Sequence, residues 1–541
     1  MISRILTALL LCVALIPVDI AAGQALSLRG SPGTDKPYGR YEPTTRKRLA
    51  LYGSRGETLN FLLKFQAPSC RRIRFSPLTK SNGTKLRARP ELFHLSTIRT
   101  HSPSYDGAFV GEIVDPLMPL QRLRLCPGTQ GTTWFFGEIF VPYHADPGLY
   151  RGSLRIGKRR SLPINLTVWK MSMPNQATFP AYSEFSNWKM LKGHFGTVGR
   201  PKMELFKKYT DSMQAHRIIP IKNYIDYPPI VEQRAGPFLD IYNYPSPETS
   251  YYSVVLETRP AWAYFDFPTI PYANAYSPIS KRYFKAVQNT ATALSHTQNA
   301  VIFLWDEPRP NDIAKLIEYA SYVKSIAPSV KLSVTVPGLP ELGKHIDIIV
   351  PSLEYFGKYH ASFEDYRNLQ KMGREVWAYV ACGGHGCSGG KPDVGSPDFV
   401  IDRPAAFIKS LGWIAAKYDL RAFLYYAVNY GYGFYPARDP WKDSYNFGGN
   451  GDGTLFYPGR GAEHGLKEHM PITSIRLKLW RETSFDAEYL NWAKKLPQQP
   501  AWLKAALNNL VKSPQDWQRS YAPYRRVRKR LGAYLHTTPV K

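Results

Sequence analysis

The sequence predicts a multidomain β and α/β chain: an N-terminal β-sandwich, then a (β/α)8 TIM-like barrel, then a short C-terminal helical region. Three observations carry this reading. The 541 residues exceed what one ordinary core organises. Residues 49–173 hold short apolar runs broken by Gly, Pro, Asn and Asp, the pattern of many short strands. From Pro174 onward, apolar strand-like runs alternate with longer helical patterns, the mark of repeated βα units.

In chain order, residues 1–23 are expected to be a secretory signal peptide. Arg4 precedes an apolar run from Ile5 to Ile16, followed by Pro17 and the small residues Ala21, Ala22 and Gly23. The run is short for a membrane span, and no later stretch reaches the ~18 apolar residues that a transmembrane helix needs. The expected location is therefore secreted or periplasmic, with no transmembrane segment. Residues 24–48 are rich in Gly, Pro, Ser, Lys and Arg and read as a flexible lead-in. Residues 49–173 form the sandwich, with Asp146-Pro147-Gly148-Leu149-Tyr150 as a turn feeding a strand. Residues 174–473 supply eight strand candidates, at 181–188, 218–227, 262–267, 300–305, 331–336, 346–353, 375–380 and 422–428. Helical candidates at 313–326 and 404–417 lie between them. Residues 474–541 are expected to be helical and to end in a basic tail.

Lys and Arg outnumber Asp and Glu by 70 to 42, a net charge of +28. Such a surplus favours anionic partners, here an anionic polysaccharide or an envelope surface, or simply a solvated basic face. No nucleic-acid-binding motif accompanies the charge, so no nucleic acid is expected. Of the five Cys, Cys12 lies in the signal segment. The other four allow three pairings, and domain placement favours Cys70–Cys126 and Cys382–Cys387. The segment Cys382-Gly-Gly-His385-Gly-Cys387 supplies only three ligands without a recognised zinc spacing, so no metal or other cofactor is expected.

The ends of the expected strands carry the chemistry. In a (β/α)8 barrel those C-terminal ends form the active site. They read Glu184, Asn187 and Trp188; Tyr224, Asp226 and Tyr227; Trp305, Asp306 and Glu307; Glu354 and Tyr355; Trp377 and Tyr379; Tyr425, Tyr426, Asn429 and Tyr430. A core needs none of these acids, whereas a sugar site needs carboxylates and aromatic faces. Asp306-Glu307 is the sharpest of them. Most glycosidases flank the scissile bond with two carboxylates ~5–9 Å apart. Neighbours on an extended segment point in opposite directions, and Pro308 is expected to hold Glu307 extended. The pair would then divide labour: Glu307 protonates the leaving oxygen while Asp306 orients a 2-acetamido group on the substrate, whose carbonyl oxygen attacks the anomeric carbon. The competing reading is a solvated turn with helix-capping acids.

Beyond Phe303 the chain resembles glycoside hydrolase family 123 and relatives that share its C-terminal catalytic domain. The resemblance rests on Trp305-Asp306-Glu307-Pro308, Ile401-Asp402-Arg403-Pro404, the segments 411–418 and 423–430, Asp439-Pro440-Trp441, Asn450-Gly451-Asp452-Gly453, the segment 455–459 and Ser474-Ile475-Arg476-Leu477. It implies a retaining β-N-acetylgalactosaminidase-type hydrolase working through an oxazoline intermediate. Glu307 would be the acid/base, Asp306 the acetamido stabiliser, and one of Tyr355, Tyr379 or Tyr426 the holder of the acetamido oxygen. Trp188, Trp305, Asn429 and Trp441 are expected to complete an oligosaccharide or glycoconjugate site. Tyr426 stands where many relatives carry Trp, which leaves the sugar open. The alternatives are a β-N-acetylglucosaminide or envelope-polysaccharide hydrolase, and a catalytically silent carbohydrate-binding protein.

Overall fold

The fold comes from a computed structural model that describes residues 26–120, 123–128, 132–157, 160–198, 202–221, 265–267, 276–293, 300–358, 361–382 and 395–538. The expected signal peptide, the end of the second strand candidate with Tyr224, Asp226 and Tyr227, the start of the third, and the segment with His385 and Cys387 lie outside those residues.

Among the described residues, ten strands precede Pro174. They are β1 (Ser27–Pro32), β2 (Leu49–Arg55), β3 (Thr58–Gln66), β4 (Arg71–Phe75), β5 (Glu91–Arg99), β6 (Glu112–Pro119), β7 (Arg124–Leu125), β8 (Thr132–Phe140), β9 (Gly148–Ile156) and β10 (Arg160–Ser172). They form two five-stranded sheets, ordered β1-β3-β8-β5-β6 and β2-β10-β9-β4-β7. Alternate residues of β3, β8, β9 and β10 point inward, and Phe61, Leu63, Phe135, Ile139, Leu154 and Leu166 share one apolar core between the sheets. Cys70 and Cys126 are disulfide-bonded as expected. Residues 27–48 depart from the expected flexible lead-in. β1 pairs antiparallel with β3 at the sheet edge, and Thr34 and Lys36 are buried. Polar composition misled here because the segment is held by backbone pairing and by single polar contacts, such as Thr34 Oγ1 on Glu482 at 2.5 Å, rather than by an apolar stripe.

Past Pro174 the eight expected strands all have counterparts: β11 (Ala181–Glu184), β12 (Ile218–Ile221), β13 (Phe265–Phe267), β14 (Ala300–Trp305), β15 (Lys331–Val334), β16 (Ile348–Ile349), the pair β17 (Glu375–Val376) and β18 (Ala378–Val380) on either side of Trp377, and β19 (Phe423–Ala427). Every pairing among them is parallel. They form one sheet ordered β13-β14-β15-β16-β17 and another ordered β12-β11-β19-β18. Chain continuity through Trp377 joins the two into a curled surface. Helices α1 (Asn187–Phe195), α2 (Met203–Ala215), α3 (Pro278–Ala293), α4 (Ile313–Ile326), α5 (Phe363–Lys371) and α6 (Ala406–Tyr418) alternate with the strands. Ser362 opens α5 with a capping box, accepting from the Asp365 N–H.

Three helices close the chain: α7 (Ile475–Lys494), α8 (Ala501–Leu510) and α9 (Tyr521–Thr537). Ser474 caps α7 by accepting from the Leu477 N–H. The basic run in α9 is not the free tail its composition suggests. Arg528 is ion-paired to Glu57, Lys529 lies 4.4 Å from the Tyr52 ring centre, and Arg530 lies 4.1 Å from that of Trp502. Among the described residues, no helix is long and apolar enough to cross a membrane.

Candidate active site

β14 runs Ala-Val-Ile-Phe-Leu-Trp, and its buried residues sit in the main core. Its register against β15 slips between Phe303 and Trp305. Such a slip re-aims the side chains that follow. Asp306 and Glu307 come next, and Glu307 departs from the extended conformation expected of it: its φ is +45°. Pro308 disfavours right-handed α for the preceding residue and favours extended backbone, so the left-handed conformation of Glu307 has to be held by its surroundings. A non-glycine residue in that region costs about 1–3 kcal/mol and persists only where its surroundings hold it. Thr335, just past β15, does the holding. Its hydroxyl accepts the Glu307 N–H at 2.7 Å and donates to Asp306 Oδ1 at 2.7 Å. One buried threonine thus fixes both acids.

The two carboxyl groups meet different surroundings. The Tyr379 hydroxyl, from β18, donates to Glu307 Oε1 at 2.5 Å. Burial of that phenol, together with the two acids, pushes its pKa well above the usual range. Asp306 keeps solvent contact, yet the protein packed around it desolvates its carboxyl enough to raise its pKa; the Thr335 hydrogen bond opposes this, and the Glu307 charge adds to it. Among the described residues, no ion pair reaches either acid.

Glu307, with Asp306 beside it, opens onto a cavity of about 950 Å³. Glu307, Thr335, Tyr355, Tyr379, Tyr426 and Asp452 line it. Lys358 is the one cation among the described lining residues, and no ion pair joins it to the acids. Asp452 is buried, and desolvation pushes its carboxyl up to about 7 against the Cys382 N–H and Tyr425 hydroxyl that donate to it, each at 3.1 Å. The Tyr426 hydroxyl is buried beside Asp452 and pressed against Gly453, where a Cβ would come within 2.3 Å of it.

The structure therefore brings together Glu307, Asp306, Tyr355, Tyr379 and Tyr426, and sets the other expected binding residues apart. The Asn429 side chain is fully buried and exchanges hydrogen bonds with the Ser186 backbone at 3.1 and 2.8 Å, fastening β19 to the start of α1. Trp441 donates to the Pro458 carbonyl and packs on Tyr457 and His464. Trp188 lies beneath Lys189 and Lys192, and Trp305 packs partly buried against the core. These four do not line the cavity. Glu184 is spent on an ion pair with Lys189 at 2.9 Å. Cys382 is disulfide-bonded, and the expected partner position lies outside the described residues. Thr335, Phe447 and the role of Asp452 went unread. Thr335 ends an apolar strand and has no sequence signal beyond its position there.

Comparison with known proteins matches residues 243–493 to the family described as glycoside hydrolase 123, catalytic domain. A family 123 glycoside hydrolase from Clostridium perfringens, described in terms of glycolipid glycan hydrolysis, is similar in fold at a TM-score of 0.63. It is 13% identical over 94% of this chain and 97% of that one. A Bacteroides ovatus family 5 xyloglucanase aligns at a TM-score of 0.29 and 8% identity, over 85% of this chain and 100% of that one, too weakly to support an argument. No curated protein matches the chain in sequence.

Proposed function

Because the chain carries the catalytic domain of glycoside hydrolase family 123 over residues 243–493, we propose that it is a secreted retaining glycosidase that cleaves β-linked 2-acetamido sugars, β-N-acetylgalactosaminides first among them. One observation carries the reading. Two adjacent acids, with no ion pair among the described residues, are fixed by one threonine; the second of them lines a large cavity and carries the hydroxyl of Tyr379. In this reading Glu307 gives its proton to the leaving oxygen as the glycosidic bond breaks. The acetamido carbonyl oxygen of the substrate attacks the anomeric carbon and closes an oxazoline ring. Asp306 accepts the amide N–H and balances the positive charge that develops on the ring. Glu307, now ionised, takes a proton from water, which opens the oxazoline. Two inversions at one carbon retain the anomeric configuration.

A raised pKa on Asp306 suits a group that must hold a developing cation without a standing counter-ion. The cavity volume falls at the upper end for small-ligand sites and accommodates an oligosaccharide or glycoconjugate. The two-sheet unit is read as a sandwich, and the curled parallel surface as a closed (β/α)8 barrel with the acids at its C-terminal rim. The surplus of cations suits an anionic envelope polysaccharide as a docking surface outside the cytoplasm.

The test pairs aryl β-glycosides of N-acetylgalactosamine and galactose, with NMR of the first-formed anomer. Hydrolysis of the 2-acetamido substrate with retention, and near-inertness of the 2-hydroxy one, are expected. Inverted product or good turnover of the galactoside would assign the chemistry to a different carboxylate.

A further inference from the structure

Four described residues other than glycine have positive φ: Arg217 (61°), Glu307 (45°), Asp419 (55°) and Phe447 (49°). Two sit where helices ordinarily end. Arg217 follows the last turn of α2 with its N–H on the Gln214 carbonyl, and Asp419 caps α6. The other two, Glu307 and Phe447, line the same cavity. Phe447 and Gly448 (φ 88°) form the two-residue turn of a small hairpin in which Asn446 pairs with Gly449 and Tyr445 with Asn450. Left-handed backbone at both central positions defines a type I′ turn, whose favoured first residue is Asn, Asp or Gly; a bulky side chain there is an outlier. Burial does not offset that cost, because Phe447 is 53% exposed. Its ring instead stands at the cavity, 5.1 Å from the Tyr430 ring and 6.0 Å from that of Tyr426. Phe434 meets Tyr430 edge-on at 5.6 Å, which extends the aromatic surface outward.

We propose that Phe447 is a platform for the substrate, stacking on the ring that lies on the leaving-group side of the scissile bond. The proposal rests on the glycosidase reading above and adds the residue that selects what the sugar is attached to. A six-membered ring, pyranose or aryl, presents a flat face of C–H or π surface. Such a face gains from an aromatic partner already held in place and has no use for a hydrogen-bond donor. A turn that spends backbone strain to hold an open phenyl ring over a cavity provides that partner.

The experiment is Phe447→Asn, which gives the turn a residue it favours and removes the ring. Steady-state kinetics are measured on an aryl β-N-acetylhexosaminide and on the methyl glycoside of the same sugar, together with the thermal midpoint. KM for the aryl substrate should rise about 5–10-fold with kcat kept within about twofold, and the methyl glycoside should shift by less than about twofold. The thermal midpoint should hold or rise, since the left-handed position is relieved. A lower midpoint with equal losses on both substrates makes Phe447 a structural residue and overturns the proposal. An unchanged KM for the aryl substrate does the same while leaving the glycosidase reading intact. A wild-type chain that cleaves neither substrate overturns both.

Discussion

Asp115 lies within β6 and Asp306 just past the end of β14, and their partners could hardly differ more. Asp115 is fully buried and bridged by the Arg476 guanidinium at 2.8 and 2.9 Å. The same regime recurs around the three helices α6, α7 and α9. Glu138 takes Arg481 and Lys478, Glu57 takes Arg528, and Asp486 takes Lys409 at 2.7 Å. Asp306 and Glu307 are exposed, Glu307 on the cavity wall, and among the described residues their carboxylates accept from the hydroxyls of Thr335 and Tyr379 and from no cation. In a chain with 28 surplus cations, a pair of acids that meets none among the described residues is informative. Ion-paired acids are neutralised by construction and hold architecture; hydroxyl-held acids keep their charge and protons available for a substrate.

Removing one acid from the open group is the strongest way to sharpen this contrast. Glu307→Gln should lower kcat by about 10²–10⁴-fold on a substrate with a poor leaving group, and least on one that leaves without a proton. Its thermal midpoint should scarcely move, which calorimetry checks. Breaking the paired group should do the reverse. Arg476→Ala strands Asp115 in the core, and loss of one partner of a buried pair costs about 3–5 kcal/mol, read as a shift in the denaturant midpoint. If Arg476→Ala folded as stably as the parent, the division between the two regimes would collapse.

Most of the fold was legible because the parallel α/β region past Pro174 obeys the two simplest periodicities. The α4 candidate at 313–326 matches to the residue, and all eight strand candidates past Pro174 have counterparts. The lead-in at 27–48 was not legible, since a strand at a sheet edge held by polar contacts carries no apolar alternation. The acids were legible from their place after a strand, but Thr335 was not, because a hydroxyl that bridges two acids is recognised only once β14 and β15 are side by side. The strings that carry the family resemblance mislead in a specific way. Asp402 binds Ser104 and Asn450, and Arg476 binds Asp115, so these conspicuous residues fasten the sheets to the catalytic region and do not line the cavity. Asn429 and Trp441 were expected in the site for the same reason.

Asp452 lies between the two regimes, buried like the paired acids yet without a cation, and gives the subtlest test. Its carboxyl ordinarily titrates near 3.8 and in the folded chain near 7. Between these values the folded state binds more protons than the unfolded one, so this group makes stability fall as pH rises through the window. Asp452→Asn should flatten that part of the stability–pH curve, measured by denaturant titration at several pH values. An unaltered slope would mean that Asp452 is ionised throughout and belongs with the paired acids.

The burial of α7 bears on whether this enzyme is modular at all. Most of its twenty residues are buried, with Arg476, Lys478 and Arg481 reaching Asp115 and Glu138 in the sheets while Thr483 and Asp486 engage α6. The segment that matches the family, 243–493, contains this helix but neither the sheets its cations bind nor β11 and β12. Excised on its own, that segment would carry stranded guanidinium and ammonium groups and an open sheet edge along β19, where β11 now pairs. The matched segment is therefore completed, in its buried ion pairs and in its sheet, by residues that lie outside it.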